Sequence, residues 1–140
     1  MDYAVISDLV SRFGETEIVQ LTDRSNPPAD AIDDTVAQPA LDAASAMVDG
    51  YVSAKYALPL TSFPLLLTEV TCDIARYRLY ADEAPEQVKD RYRDAIKTLE
   101  GISSGRIKID AAGVEPPSRS DVIETSGPGR LFSRRELGVF

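Results

Sequence analysis

The sequence predicts an all-α protein: a small helical bundle of about four to five helices, with a short strand and an extended C-terminal tail. Three observations predict it. Between Gly50 and Gly101 apolar residues recur at intervals of three and four, the spacing of one helix face. Each such segment is bounded by proline or glycine, which start and stop helices. After Gly105 the periodicity stops, and from Ala111 onward proline, glycine and serine dominate. The boundaries that follow are a helical domain over residues 1–110 and a C-terminal tail over residues 111–140.

Each element has its own signal. At the N-terminal end Ser7 is placed to cap a first short helix, with Ile6 before it as a hydrophobic staple. Leu9, Val10 and Phe13 give that helix an apolar face, and Gly14 ends it. Ile18, Val19 and Leu21 supply a second short helix or turn. Asn26-Pro27-Pro28 then forbids regular helix, because each proline biases its predecessor to extended geometry. Asp30, Asp33 and Asp34 sit before the next helix, where negative charge meets the positive end of a helix dipole. A metal site there lacks the glycine turn and final glutamate of a calcium loop.

The longest helix runs to about Lys55, with Val36, Ala40, Ala44, Val48 and Val52 four apart and Leu41, Met47 and Tyr51 widening the stripe. Either Pro39 is its first residue, or the helix starts at Thr35 and Pro39 kinks it. Gly50 costs about 1 kcal/mol relative to alanine, which points to close packing or to a break. Pro64 begins the next helix, with a seam of Phe63, Leu67, Val70, Ile74 and Tyr77. Pro85 begins the last, with Val88, Tyr92, Ala95 and Leu99, and Gly101 closes it. Arg106-Ile107-Lys108-Ile109 alternates and reads as the short strand.

Charge narrows the function classes. The net charge is −8, and residues 1–50 alone hold ten acidic against two basic side chains. Such a chain is repelled by nucleic-acid phosphates and suits a basic protein partner better. Histidine is absent, which removes the commonest general base and metal ligand. Cys72 is the single cysteine and reads as core; no glycine-rich phosphate loop is present. No catalytic, cofactor-binding or metal residues are assigned, and an enzyme is not expected. The longest apolar run, Phe63 to Leu67, is far too short to span a bilayer. Without a basic start and apolar run there is no secretion signal.

Three features invite a functional reading. Asp73 lies on an apolar helix face and must be paired or neutralised; the expected partners are Arg76, Arg91 or the hydroxyl of Tyr77 or Tyr92. Lys55-Tyr56, Arg76-Tyr77, Arg78-Leu79-Tyr80 and Arg91-Tyr92 set tyrosines near bases. Stacking on single-stranded nucleic acid is one use of such pairs; filling the core edge while the polar ends reach outward is the other. The chain ends in Arg130, Leu131, Phe132, Ser133, Arg134, Arg135, Glu136, Leu137, Gly138, Val139 and Phe140. This reads as a docking segment for assembly or as a disordered end.

Certain words of the sequence, in order, resemble the phage Mu-type protein thirty-six family. They are Arg12-Phe13-Gly14-Glu15 with Leu21-Thr22-Asp23; Gly50-Tyr51-Val52 with Lys55-Tyr56 and Leu58-Pro59-Leu60; Asp73-Ile74-Ala75-Arg76-Tyr77 with Leu79-Tyr80; and Arg91-Tyr92 with Asp94-Ala95, Leu99 and Gly105. Lys55 stands where the family more usually has arginine. The resemblance implies a structural virion protein, similar in kind to head-tail connector or adaptor proteins. On that reading a ring of copies joins portal and tail or neck proteins, first in the host cytoplasm and then in the virion, with no cofactor, no specific nucleic-acid binding and no membrane. The alternative is a small acidic regulatory module that captures its partner through the C-terminal segment.

Overall fold

The computed structural model describes residues 1–111. They form five helices: α1 Ile6–Phe13, α2 Glu15–Thr22, α3 Asp34–Val52, α4 Leu65–Leu79 and α5 Glu86–Ser103. The three long helices pack on one another, with α1 and α2 laid against α3 and α4. The six-residue link between α4 and α5 returns the chain alongside itself, as short helix connections do.

Helix α4 is the centre. Leu67, Val70, Thr71, Cys72, Ile74, Ala75 and Leu79 are all buried, on more than one face. A central helix needs apolar or self-satisfied residues all round. Thr71 meets this by donating its hydroxyl to the Leu67 carbonyl at 2.7 Å. Helix α3 contributes Ala37, Leu41, Ala44, Val48 and Val52, and α5 contributes Val88, Ala95, Leu99 and Ile102. The α3 stripe is rotated by one position at its start: Ala37 and Leu41 face the core, while Val36 and Ala40 are half-buried.

Several local expectations are settled by capping geometry. Helix α1 is capped from Val5, not Ser7: the Val5 amide donates to Asp8 Oδ2 at 2.8 Å. An acid in the first turn therefore does what a capping serine was expected to do. Gly14 does end α1 and also opens α2, at φ 90° and ψ 146°, a conformation costly for any other residue. Asp33 caps α3, accepting from the Thr35 amide at 2.9 Å. The helix is therefore already running when it reaches Pro39, whose ring faces solvent. Asp23 orders the preceding loop by accepting from the amides of Ser25 and Asp30 and from the Ser25 hydroxyl.

The glycines reverse their expected roles. Gly50 neither breaks α3 nor packs closely; it is exposed and has nothing within 4 Å of where a Cβ would sit. Gly101 does not close α5, which continues to Ser103. A Cβ there would lie 2.6 Å from Ile107 Cδ1 and 2.9 Å from Cγ1. Its bare backbone lets the chain fold back over the helix end, with the Ile107 amide donating to the Gly101 carbonyl at 2.9 Å. The turn is made at Gly105, φ +79°.

This fold-back replaces the predicted strand. Among the described residues there is no strand. The alternation over Arg106 to Ile109 is real, because Ile109 and Ala111 are buried and Lys108 and Asp110 are exposed. But a strand needs a neighbouring ladder, and here the neighbours are helix ends. The Ile109 amide donates to the Tyr56 hydroxyl at 3.0 Å instead.

Candidate functional site

An ion-pair seam joins α1 and α2 to α4. Arg76 donates to Glu17 Oε1 through Nη2 at 2.6 Å and Nε at 3.1 Å. The Tyr80 hydroxyl adds a third bond to the same oxygen at 3.3 Å. Arg12 lies 3.2 Å from Glu69 and 3.4 Å from Asp73, both on α4. Both guanidinium groups lie near the Phe13 ring, with Arg76 Cζ 4.3 Å and Arg12 Cζ 5.5 Å from its centroid. Planar cations over an aromatic face are favourable, more so away from water. Only 12% of the Arg76 side chain and 25% of the Glu17 side chain remain exposed, so this pair is shielded from the screening that weakens surface ion pairs.

The expected polar network is thus rearranged. Asp73 accepts its hydrogen bond from Arg12, not from Arg76, Arg91 or a tyrosine. Arg76 turns to Glu17. Arg91 is exposed on α5 and acts on Asp73 only through its charge. Burial pushes the Asp73 carboxyl above its usual range, against the charges of Arg12 and Arg91, which lower it. Tyr77 and Tyr92 do meet, ring on ring, with centroids 4.1 Å apart and planes inclined by 17°. Nothing in the spacing within one helix identifies Arg12, Glu17 or Glu69 as partners, since each lies more than fifty residues from its mate. The one hint was that two resembling words, Arg12-Phe13-Gly14-Glu15 and Asp73-Ile74-Ala75-Arg76-Tyr77, both contribute to this seam.

The tyrosines beside bases are structural here. Tyr56 is buried and accepts from Ile109, Tyr77 stacks on Tyr92, and Tyr80 bonds Glu17. The N-terminal residues are tied down as well. The Met1 amine and the Tyr3 hydroxyl bind the two oxygens of Asp49 at 2.9 and 2.6 Å, and Thr68 donates to the Tyr3 carbonyl. Cys72 is fully buried, and burial pushes its thiol up to about 12. A thiol held protonated in the core is no nucleophile at neutral pH.

Open features lie on the outer surface of the described residues. A groove of about 460 Å³ runs between α3 and α5, lined by Met47, Tyr51, Tyr92, Ile96, Arg93, Lys97 and Glu100. A second hollow of about 340 Å³ lies between α3 and the end of α4, beside Pro39, Arg24 and Arg78. No helix among the described residues is long and apolar enough to cross a membrane. The docking-segment residues Arg130, Leu131, Phe132, Arg134, Arg135, Leu137 and Phe140 lie outside the described residues.

Comparison with known proteins places most of this chain in one alignment. The family model described as Bacteriophage Mu, Gp36 matches residues 3–125. Gene product J of Escherichia phage Mu is 34% identical over 140 residues, covering 99% of each chain. The Mu-like prophage FluMu protein gp36 of Haemophilus influenzae is 39% identical over 104 residues, 72% of this chain and 74% of the relative.

Proposed function

The chain belongs to the bacteriophage Mu Gp36 family, and from that premise we propose that it is a structural protein of the phage particle, an adaptor subunit of the neck that joins the head to the tail. The observation that carries this reading is end-to-end similarity to a phage Mu gene product. The structure adds support of a physical kind. The Arg12 and Arg76 ion pairs fasten α1 and α2 to the central helix α4, as suits a subunit that transmits force between two large bodies. Helix α5 presents an alternating charged face, and α3 presents exposed Ala46 and Gly50.

In a ring every subunit repeats one heterologous contact, so a face on one copy must fit a different face on the next. The acidic N-terminal half against mixed or basic surfaces of portal and tail proteins provides such a fit. Deletion of the gene from an inducible phage or prophage tests the reading by electron microscopy of the lysate. Filled heads and free tails are expected, rejoined when the protein is supplied in trans. Normal virions after deletion overturn it.

A further inference from the structure

We propose that the groove between α3 and α5 is the seat of the chain's own C-terminal segment, residues 130–140. The position of the chain's exit is the first reason. The described chain leaves the bundle at Ala111, at the end where both helices finish. Ile107 is bonded to Gly101 of α5, and Ile109 to Tyr56 just beyond α3. Glu100, the last residue along the groove, is next to Gly101. Residues 112–129 reach up to about 60 Å when extended, whereas the groove from Tyr92 to Glu100 is about 12 Å long at the helical rise.

Chemistry is the second reason. The groove floor is Met47, Tyr51, Tyr92 and Ile96, each half-buried. Methionine and tyrosine accommodate apolar guests readily, and the volume is that of a binding site rather than a packing gap. The segment brings Leu131, Phe132, Leu137, Val139 and Phe140. On the rim Arg93 is already neutralised by Glu86 and Asp90, at 3.3 and 3.1 Å. Among the described residues Lys97 and Glu100 have no ion-pair partner. They offer one charge of each sign to Arg134, Arg135 and Glu136. The helical body carries the whole net charge of −8, while residues 130–140 hold three arginines against one glutamate.

The tether is the third reason, and it selects the chain's own segment over that of a second copy. A tether of eighteen residues, 112–129, holds its end at an effective concentration of about a millimolar. An affinity too weak to recruit a free partner therefore suffices in cis. The inference does not depend on the neck reading, since a folded-back segment is a property of the isolated chain.

The protein has no tryptophan, so a single introduced one reports cleanly. Phe132→Trp and Phe140→Trp are made separately in the full chain and quenched with acrylamide. The expected result is severalfold slower quenching than for free tryptophan, independent of protein concentration. It should rise to the free value when Ile96→Glu or, on the other wall, Met47→Glu is added, with the helical circular dichroism retained. Having both walls keeps the test sound where one variant fails to fold. Full quenching in the parent chains, or protection that survives both groove variants, overturns the proposal. Protection that disappears on dilution assigns the groove to a second copy and overturns it equally.

Discussion

Two glycines in long helices are expected to respond in opposite directions to the same substitution. Replacing Gly101 by alanine puts a Cβ 2.6 Å from Ile107 Cδ1 and 2.9 Å from Cγ1. Rotation of Ile107 can move Cδ1 but not easily Cγ1, and the backbone cannot retreat while the Ile107 amide is bonded to Gly101. Overpacking of this kind costs about 1–3 kcal/mol, and the gain in helix propensity returns about 1 kcal/mol. The net expectation is a loss of roughly 0–2 kcal/mol. Gly50→Ala meets nothing within 4 Å, so it keeps the whole propensity gain and is expected to stabilise by about 0.5–1 kcal/mol.

Urea melts followed by circular dichroism give both values. Each kcal/mol should move the thermal midpoint by roughly 3–5 °C for a chain of this size. Adding Ile107→Ala to Gly101→Ala removes both colliding atoms, so the two changes should couple favourably by about 1 kcal/mol. If Gly101→Ala stabilises as much as Gly50→Ala, Ile107 does not lie over the helix end. The path of residues 104–111 would then be wrong, and with it the exit point on which the C-terminal docking proposal rests.

Other outcomes follow from the seam and the core. Arg76→Met leaves Glu17 in a part-buried site with only Tyr80 for company, and should cost about 1–3 kcal/mol in urea melts, largely recovered by Glu17→Gln in the same chain. Because burial raises the Asp73 carboxyl, its folded form binds a proton more tightly than the unfolded chain does. Its contribution to stability is therefore full below the unfolded value of 3.8 and is lost as pH rises through the folded value. Asp73→Asn should accordingly flatten the pH–stability curve in the mildly acidic range, and gain under about 1 kcal/mol at neutral pH; a steeper curve speaks against the burial account. Cys72 should resist thiol reagents in the folded protein at pH 8 and react fully in denaturant, so that its labelling rate tracks global opening.

The fold class was legible because helical periodicity is local. Leu67, Val70 and Ile74, or Val88, Ala95 and Leu99, mark their faces by spacing alone, and Pro64 and Pro85 set where those helices begin. Charge and the lack of histidine were equally plain in the chain, and so was the family, whose words run in order from Arg12 to Gly105. What local pattern did not hold was partnership. That Arg12 serves Asp73 and Arg76 serves Glu17 depends on how α1 and α2 lie across α4, a matter of packing between segments more than fifty residues apart. The same cause reversed the glycines. A missing side chain reads identically at Gly50 and Gly101, and only the fold shows open solvent over one and Ile107 over the other. It also turned an alternating run into a fold-back rather than a strand, because alternation records which side is buried, while a strand exists only where a second one lies beside it.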